Sequence, residues 1–106
     1  MPASALELHR GALDDALAGY GWYLQHSSRA ADGFFAELER AVQLILEGPR
    51  RWAPHVHGTR RFVLTKYPYS VVYKATAGAV VVYAFAHAKR RPGYWKGRLD
   101  WSPPVA

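Results

Sequence analysis

The chain has 106 residues, half of them apolar and 21% charged, with no cysteine and a formal charge of +6. That length fits one domain around one core and the composition is globular. The lack of cysteine excludes a disulfide framework, a thiolate nucleophile and any Cys-ligated zinc or iron–sulfur centre. No basic flank followed by an apolar run opens the chain, and no stretch reaches the ~20 apolar residues that cross a bilayer. A cytoplasmic protein with no membrane partner is expected.

The charge is divided unevenly. Up to Glu47 the chain carries three basic residues against seven acidic ones; from Arg50 onward it carries eleven basic residues and a single acid, Asp100. Solubility does not require such segregation, so a cationic second half points to an anionic partner, nucleic acid or an acidic protein segment.

In chain order, Leu6 and Leu8 alternate with Glu7 and His9, the pattern of a short strand with one buried face over residues 5–9. From residue 12 the period changes: Leu13, Ala16, Leu17, Tyr20, Tyr23 and Leu24 recur at three- and four-residue spacing, an amphipathic helix to about residue 26. Gly11 falls just before it, Asp14 and Asp15 in its first turn complement the helix dipole, and Gly19 and Gly21 weaken its middle. Ser27 and Ser28 offer caps for a second helix. There Ala31, Phe34, Phe35, Leu38, Ala41, Val42 and Ile45 form a broad apolar face, and Gly48 in a left-handed cap followed by Pro49 ends it. Two helices joined by so few residues form an antiparallel hairpin.

Residues 50–58 contain Pro54 and Gly58 without periodicity and read as a loop. Residues 59–66 read as a strand with Arg61, Val63 and Thr65 on one side and Arg60, Phe62 and Leu64 on the other, Arg61 looking outward and Arg60 pairing with an acid of the second helix. A turn at Tyr67 and Pro68 leads to a strand over residues 69–75, and a second turn leads to residues 79–87, the most apolar run and the expected centre of the sheet. After His87 the pattern is aperiodic, and residues 97–106 read as a flexible tail. The expected fold is α+β: a small, mainly antiparallel sheet packed against an N-terminal helical hairpin, in the order β-α-α-β-β-β, as a single domain over residues 1–106.

That order, the helix ending in Gly48 and Pro49 with Trp52 after it, the Arg60–Arg61–Phe62 strand, the Pro68–Tyr69–Ser70–Val71–Val72–Tyr73 strand and the closing run from Val80 to Trp95 together resemble the RelE/ParE superfamily of bacterial type II toxins, over residues 5–96. The resemblance implies a small cytoplasmic toxin silenced by a cognate antitoxin whose flexible, acidic segment wraps across it. It also implies one of two mechanisms: RelE-like members cut messenger RNA on the ribosome, and ParE-like members inhibit DNA gyrase without being nucleases.

Cleaving RNA through its own 2′-hydroxyl needs proton-transfer groups and cations at the phosphate. The chain offers Arg60, Arg61, Lys66, Lys74, Lys89, Arg90 and Arg91 as cations, and His55, His57, His87 and Tyr94 as proton-transfer groups. Against the RelE-like pattern the match is partial: Ser70 stands where those nucleases carry a phosphate-holding arginine, whereas Arg90 matches a second catalytic arginine and Tyr94 lies near the catalytic tyrosine. His87 followed five residues later by Pro92 resembles a spacing of ParE-like toxins. The expectation is a ParE-like toxin that contacts its target through Arg61, Lys66, Lys74, Lys89, Arg90, Arg91, Tyr94 and Trp95. The alternatives are a RelE-like nuclease using Arg90, Tyr94 and His87, and a non-toxic basic nucleic-acid-binding module. His55 and His57 lack further ligands for a metal, Tyr20, Tyr23, Phe34, Phe35 and Phe62 read as core or antitoxin-facing aromatics, and no cofactor is expected.

Overall fold

The strong 3.6-residue stripe of the second helix decides how the chain folds, because it must be buried against a sheet. The computed structural model describes residues 2–103. β1 (Ala5–Leu8) leads into α1 (Arg10–Leu24) and α2 (Ser28–Glu47). Then follow β2 (Ala53–Pro54), a 3-10 turn (Val56–Gly58), β3 (Arg60–Val63), β4 (Tyr69–Thr76), β5 (Ala79–His87) and a second 3-10 turn (Lys96–Asp100). The sheet runs β1-β5-β4-β3-β2; β1 lies parallel to β5 and the other neighbours are antiparallel. The expected α+β architecture is present, with β2 added within the stretch read as a loop.

α2 begins where Ser27 accepts a hydrogen bond from the Ala30 N–H at 3.2 Å, a side-chain N-cap. Its buried residues are Ala31, Phe34, Leu38, Ala41, Val42 and Ile45, which pack with Val71, Tyr73, Val80 and Val82 of the facing sheet. Burial pushes the Tyr73 phenol up to about 12, and its hydroxyl donates to the Pro49 carbonyl at 2.7 Å. Phe35 is only half-buried at the edge of this core. Gly48 ends α2 at φ −151°, so the expected left-handed cap does not form there. Positive φ is found instead at other glycines, among them Gly78, at 74°, in the turn between β4 and β5, where glycine carries no Cβ penalty.

α1 starts two residues before the expected point. His9, not an acid in the first turn, caps it: Nδ1 accepts from the Gly11 N–H at 2.8 Å. Gly19 lets the helices close, since a Cβ there would lie 2.7 Å from the Phe34 ring and 2.8 Å from the Tyr69 hydroxyl. These approaches are shorter than packed carbon atoms tolerate.

Four further expectations are corrected. The middle strand is β4, and β5, though the most apolar, lies one place over because β1 adds beside it. β1 has no buried face: Leu6 and Leu8 are each 38% exposed, as nothing among the described residues covers that edge of the hairpin. Arg60 finds no acid; its Nη1 donates to the Trp52 carbonyl at 2.7 Å, tying β3 to the chain entering β2. Residues 97–101, expected as tail, are docked on the fold by Arg98 and by the Trp101 carbonyl, which accepts from the Tyr83 hydroxyl at 3.1 Å. Residues 104–106 of that expectation lie outside the described residues.

Candidate functional site

The sheet has two faces, and the helices cover only one. On the other, Val72 and Ala84 form a small second core roofed by Trp95, which is 2% exposed. Trp95 is therefore a structural residue rather than the expected target contact. By its place in this roof it carries the segment after β5 back across the open face.

Asp15 fixes that segment. It lies on α1 between the buried positions Ala12, Ala16 and Gly19, so its carboxylate points inward. Three groups satisfy it with four hydrogen bonds: Arg98 through Nη1 at 2.7 Å and Nη2 at 3.3 Å, the Tyr94 hydroxyl at 3.1 Å, and the Phe85 N–H at 3.2 Å. Arg98 also donates to the Tyr83 carbonyl at 2.9 Å. β1 accompanies β5 only as far as Val82, and beyond it this ion pair meets the strand's free N–H and C=O as a neighbouring strand would. Buried backbone groups without such partners are costly.

Tyr94 is held at both ends. Its hydroxyl is tethered to Asp15, and the Arg90 guanidinium lies 3.8 Å from its ring centroid, a cation–π contact that fixes Arg90 on the rim. Burial, and next the Asp15 carboxylate, push the Tyr94 phenol well above its ordinary value. It keeps its proton at neutral pH and is not available as a base.

On the open face beside this rim is a hollow of about 250 Å³. Arg61 enters from β3, Ser70 from β4, His87 from the end of β5, and Arg90 and Arg91 from the following segment, with His55 closing it from the loop after β2. No carboxylate lines it. Burial, then Arg61 and His57, hold the His55 imidazole below its usual range. Nδ1 of His87 accepts from the Lys89 N–H at 3.0 Å, which in the neutral ring leaves the proton on Nε2. Of the expected contact residues, the fold thus gathers Arg61, Arg90, Arg91 and Tyr94 at the hollow, with Trp95 as a buried part of its wall. Lys66, Lys74 and Lys89 do not line the hollow; the Lys74 ammonium lies 6.0 Å from the Tyr83 ring.

Two further concavities adjoin α1. One, of about 320 Å³, lies on the other side of Arg90 and Tyr94 and is walled by Trp22, Tyr23, Tyr69 and Phe85. The other is an apolar groove of about 290 Å³ between β1 and the hairpin, lined by Leu6, Leu8, Leu13, Phe35, Leu38 and Val42. Trp22 and Leu17 are 57% and 53% exposed on the same helix. Among the described residues no group of three or more His, Asp or Glu side chains is placed to hold a metal ion, and no helix is long and apolar enough to cross a membrane.

A helical hairpin on a five-stranded sheet, with a cationic hollow on the bare face and an apolar groove along the hairpin, defines a small α+β domain. The family described as ParE toxin of type II toxin–antitoxin system, parDE, matches residues 6–92, and the chain belongs to that family. Among solved structures it is similar to a chain of the chromosomal ParDE toxin–antitoxin system from P. aeruginosa. The TM-score is 0.71 at 18% identity, over 80% of this chain and 96% of that one, a likeness of fold. No curated protein matches significantly.

Proposed function

We propose that this ParE-family toxin arrests growth by inhibiting DNA gyrase, which it contacts through the cationic end formed by Lys89, Arg90 and Arg91 together with Arg61, and that it does not cut RNA. The observation that carries the reading is the state of Tyr94. An RNase of the RelE kind needs proton transfer beside a charged phosphate clamp, whereas this phenol donates to Asp15 and Ser70 supplies no charge. The geometry supports use of the surface for binding rather than for acid–base chemistry.

The same reading includes a cognate antitoxin. The apolar groove of Leu6, Leu8, Leu13 and Phe35 suits the apolar side of a partner segment, and the basic half of the chain suits acidic residues on it.

Controlled expression in bacteria tests the reading when messenger RNA 5′ ends and a DNA-damage reporter are followed together. Intact RNA with an induced damage response is expected. Ribosome-phased cuts without a damage response would overturn it and return Arg90 and His87 to catalytic roles.

A further inference from the structure

The concavity between α1, the start of β4 and the end of β5 holds polar groups that the fold itself does not use. Of the seven tyrosines, Tyr20, Tyr67, Tyr73, Tyr83 and Tyr94 each donate a hydrogen bond through the hydroxyl. The other two, Tyr23 and Tyr69, donate to nothing among the described residues, and both line this concavity. Tyr69 is only 9% exposed. Among the described residues no fully buried side-chain oxygen is left without a partner, so these two hydroxyls are reached from outside. A phenol set so deep with its hydrogen bond unmade carries a desolvation cost that packing alone does not repay and that an entering acceptor removes.

The phenols are held in place from behind. The Tyr23 and Tyr69 ring centroids lie 5.2 and 4.7 Å from that of the buried Phe34, and Tyr69 meets the His87 ring edge-on at 5.0 Å. Fixed donors lose less entropy on binding than free ones. Burial pushes both phenols above their ordinary value, so each keeps its proton at neutral pH. His87, whose Nδ1 accepts from the Lys89 N–H, adds an Nε2 proton, and Arg90 adds a guanidinium that enters no ion pair among the described residues. Asp15 also borders the concavity, but Arg98 neutralises it and its oxygens are filled by Arg98, Tyr94 and the Phe85 N–H. Apolar wall comes from Phe85 and from Trp22, which is 57% exposed and edge-on to Tyr23 at 5.0 Å.

We infer that this concavity binds a small planar aromatic carboxylic acid as its carboxylate, the ring against Trp22 and Phe85 and the carboxylate on Arg90 and the Tyr69 hydroxyl. Every polar group left free there is a donor, which calls for a ligand rich in acceptors. One guanidinium calls for a single negative charge, and the two coplanar oxygens of a carboxylate match its fork. The aromatic walls call for a ring, because ring edges and faces pair favourably. The volume of about 320 Å³ lies at the small end of ligand pockets, roughly 300–1,000 Å³, which is room for one or two fused rings. The inference concerns binding by the isolated chain and does not rest on the gyrase reading.

The test is calorimetric titration of the purified chain with naphthoate, with backbone amide shifts followed in parallel. Naphthylmethanol serves as the neutral analogue, cyclohexanecarboxylate as the non-aromatic acid and N-acetyltryptophanamide as a stand-in for an aromatic side chain of a partner polypeptide. Naphthoate should bind saturably at one site and move the amides of residues 15–23, 69, 70 and 85–94. Tyr69→Phe, which removes the hydroxyl and keeps the ring, should weaken binding about fivefold. Because that hydroxyl bonds nothing in the fold, the variant should keep its melting temperature, so a loss of affinity is not a loss of fold. Arg90→Gln should weaken naphthoate about tenfold and leave naphthylmethanol unchanged, and Arg40→Gln on α2 should bind as the unmodified chain does. The inference is overturned by absence of saturable naphthoate binding, by naphthylmethanol or cyclohexanecarboxylate binding as tightly as naphthoate, or by Tyr69→Phe binding as well as Arg40→Gln. Tighter binding of N-acetyltryptophanamide than of naphthoate would also overturn it and make the occupant a side chain of a partner polypeptide.

Discussion

Asp15 on α1 and Arg98 in the last 3-10 turn are separated by 83 positions in the chain and meet at 2.7 Å. Their side chains are 7% and 19% exposed, so the pair is drawn largely out of water, and three elements converge on it. Removing one partner of such a pair leaves a buried charge and costs about 3–5 kcal/mol. Asp15→Ala should therefore lower the unfolding free energy by about that amount in urea denaturation, and Asp15→Ala with Arg98→Met should be less destabilised than the sum of the single changes. Strict additivity would show that the two side chains do not act as a unit.

Gly19 and Gly21 lie two residues apart on α1 and should respond with opposite sign to alanine. A Cβ at Gly19 meets the Phe34 ring at 2.7 Å, while nothing lies within 4 Å of one at Gly21. Gly19→Ala should cost about 1–3 kcal/mol by overpacking, and Gly21→Ala should gain up to about 1 kcal/mol of helix propensity. Thermal melts of the two variants read the difference directly.

Adjacent phenylalanines of α2 should separate stability from recognition. Phe34 is 0% exposed, so Phe34→Ala should cost about 3–5 kcal/mol. Phe35 lines the apolar groove; Phe35→Ala should cost less than Phe34→Ala and weaken antitoxin binding instead. Equal losses of stability with unchanged antitoxin affinity would contradict the groove's role.

Acid should loosen the fold through two histidines. Burial is the first cause that lowers the pKa of both His9 and His55 in the folded state, and the positive charges of Arg98 and Arg61 respectively come next. The unfolded chain then binds protons more readily than the folded one, so their contribution is complete above about pH 6.5 and is lost as pH falls through the folded values. Protonation also removes the Nδ1 lone pair with which His9 caps α1. Melting temperature should drop from pH 7 to pH 5, and His9→Asn, which keeps a cap without titrating, should show a smaller drop. An identical pH profile would refute the cap's part in it.

The element order was legible because each helix and each long strand carries its own period, and the Ser27 cap of α2 and the turn at Gly78 are local chemistry. What was not legible depends on partners distant in the chain. Leu6 and Leu8 alternate as a half-buried strand does, yet the surface facing them is an open groove, and alternation alone does not say whether a partner is present. Asp15 was read as a dipole-complementing acid, although its place between Ala12, Ala16 and Gly19 sets it on the buried stripe. An acid in that position needs a buried cation, and Arg98 lay in the stretch read as tail. Trp95 and Tyr94 followed the same pattern: beside a run of cations they look like contact aromatics, and only the crossing of that segment over Val72 and Ala84 makes one a roof and the other a tether. Arg61, by contrast, was turned outward by strand alternation alone, and it is exposed at the hollow.

The most direct test of the proposed mechanism is a supercoiling assay with purified gyrase, comparing the unmodified chain with Arg90→Ala. The account predicts dose-dependent inhibition by the chain, suppression by the Arg90→Ala variant at unchanged melting temperature, and relief when the antitoxin is added. Full gyrase activity at saturating toxin, with messenger RNA cut in a parallel translation reaction, would contradict it.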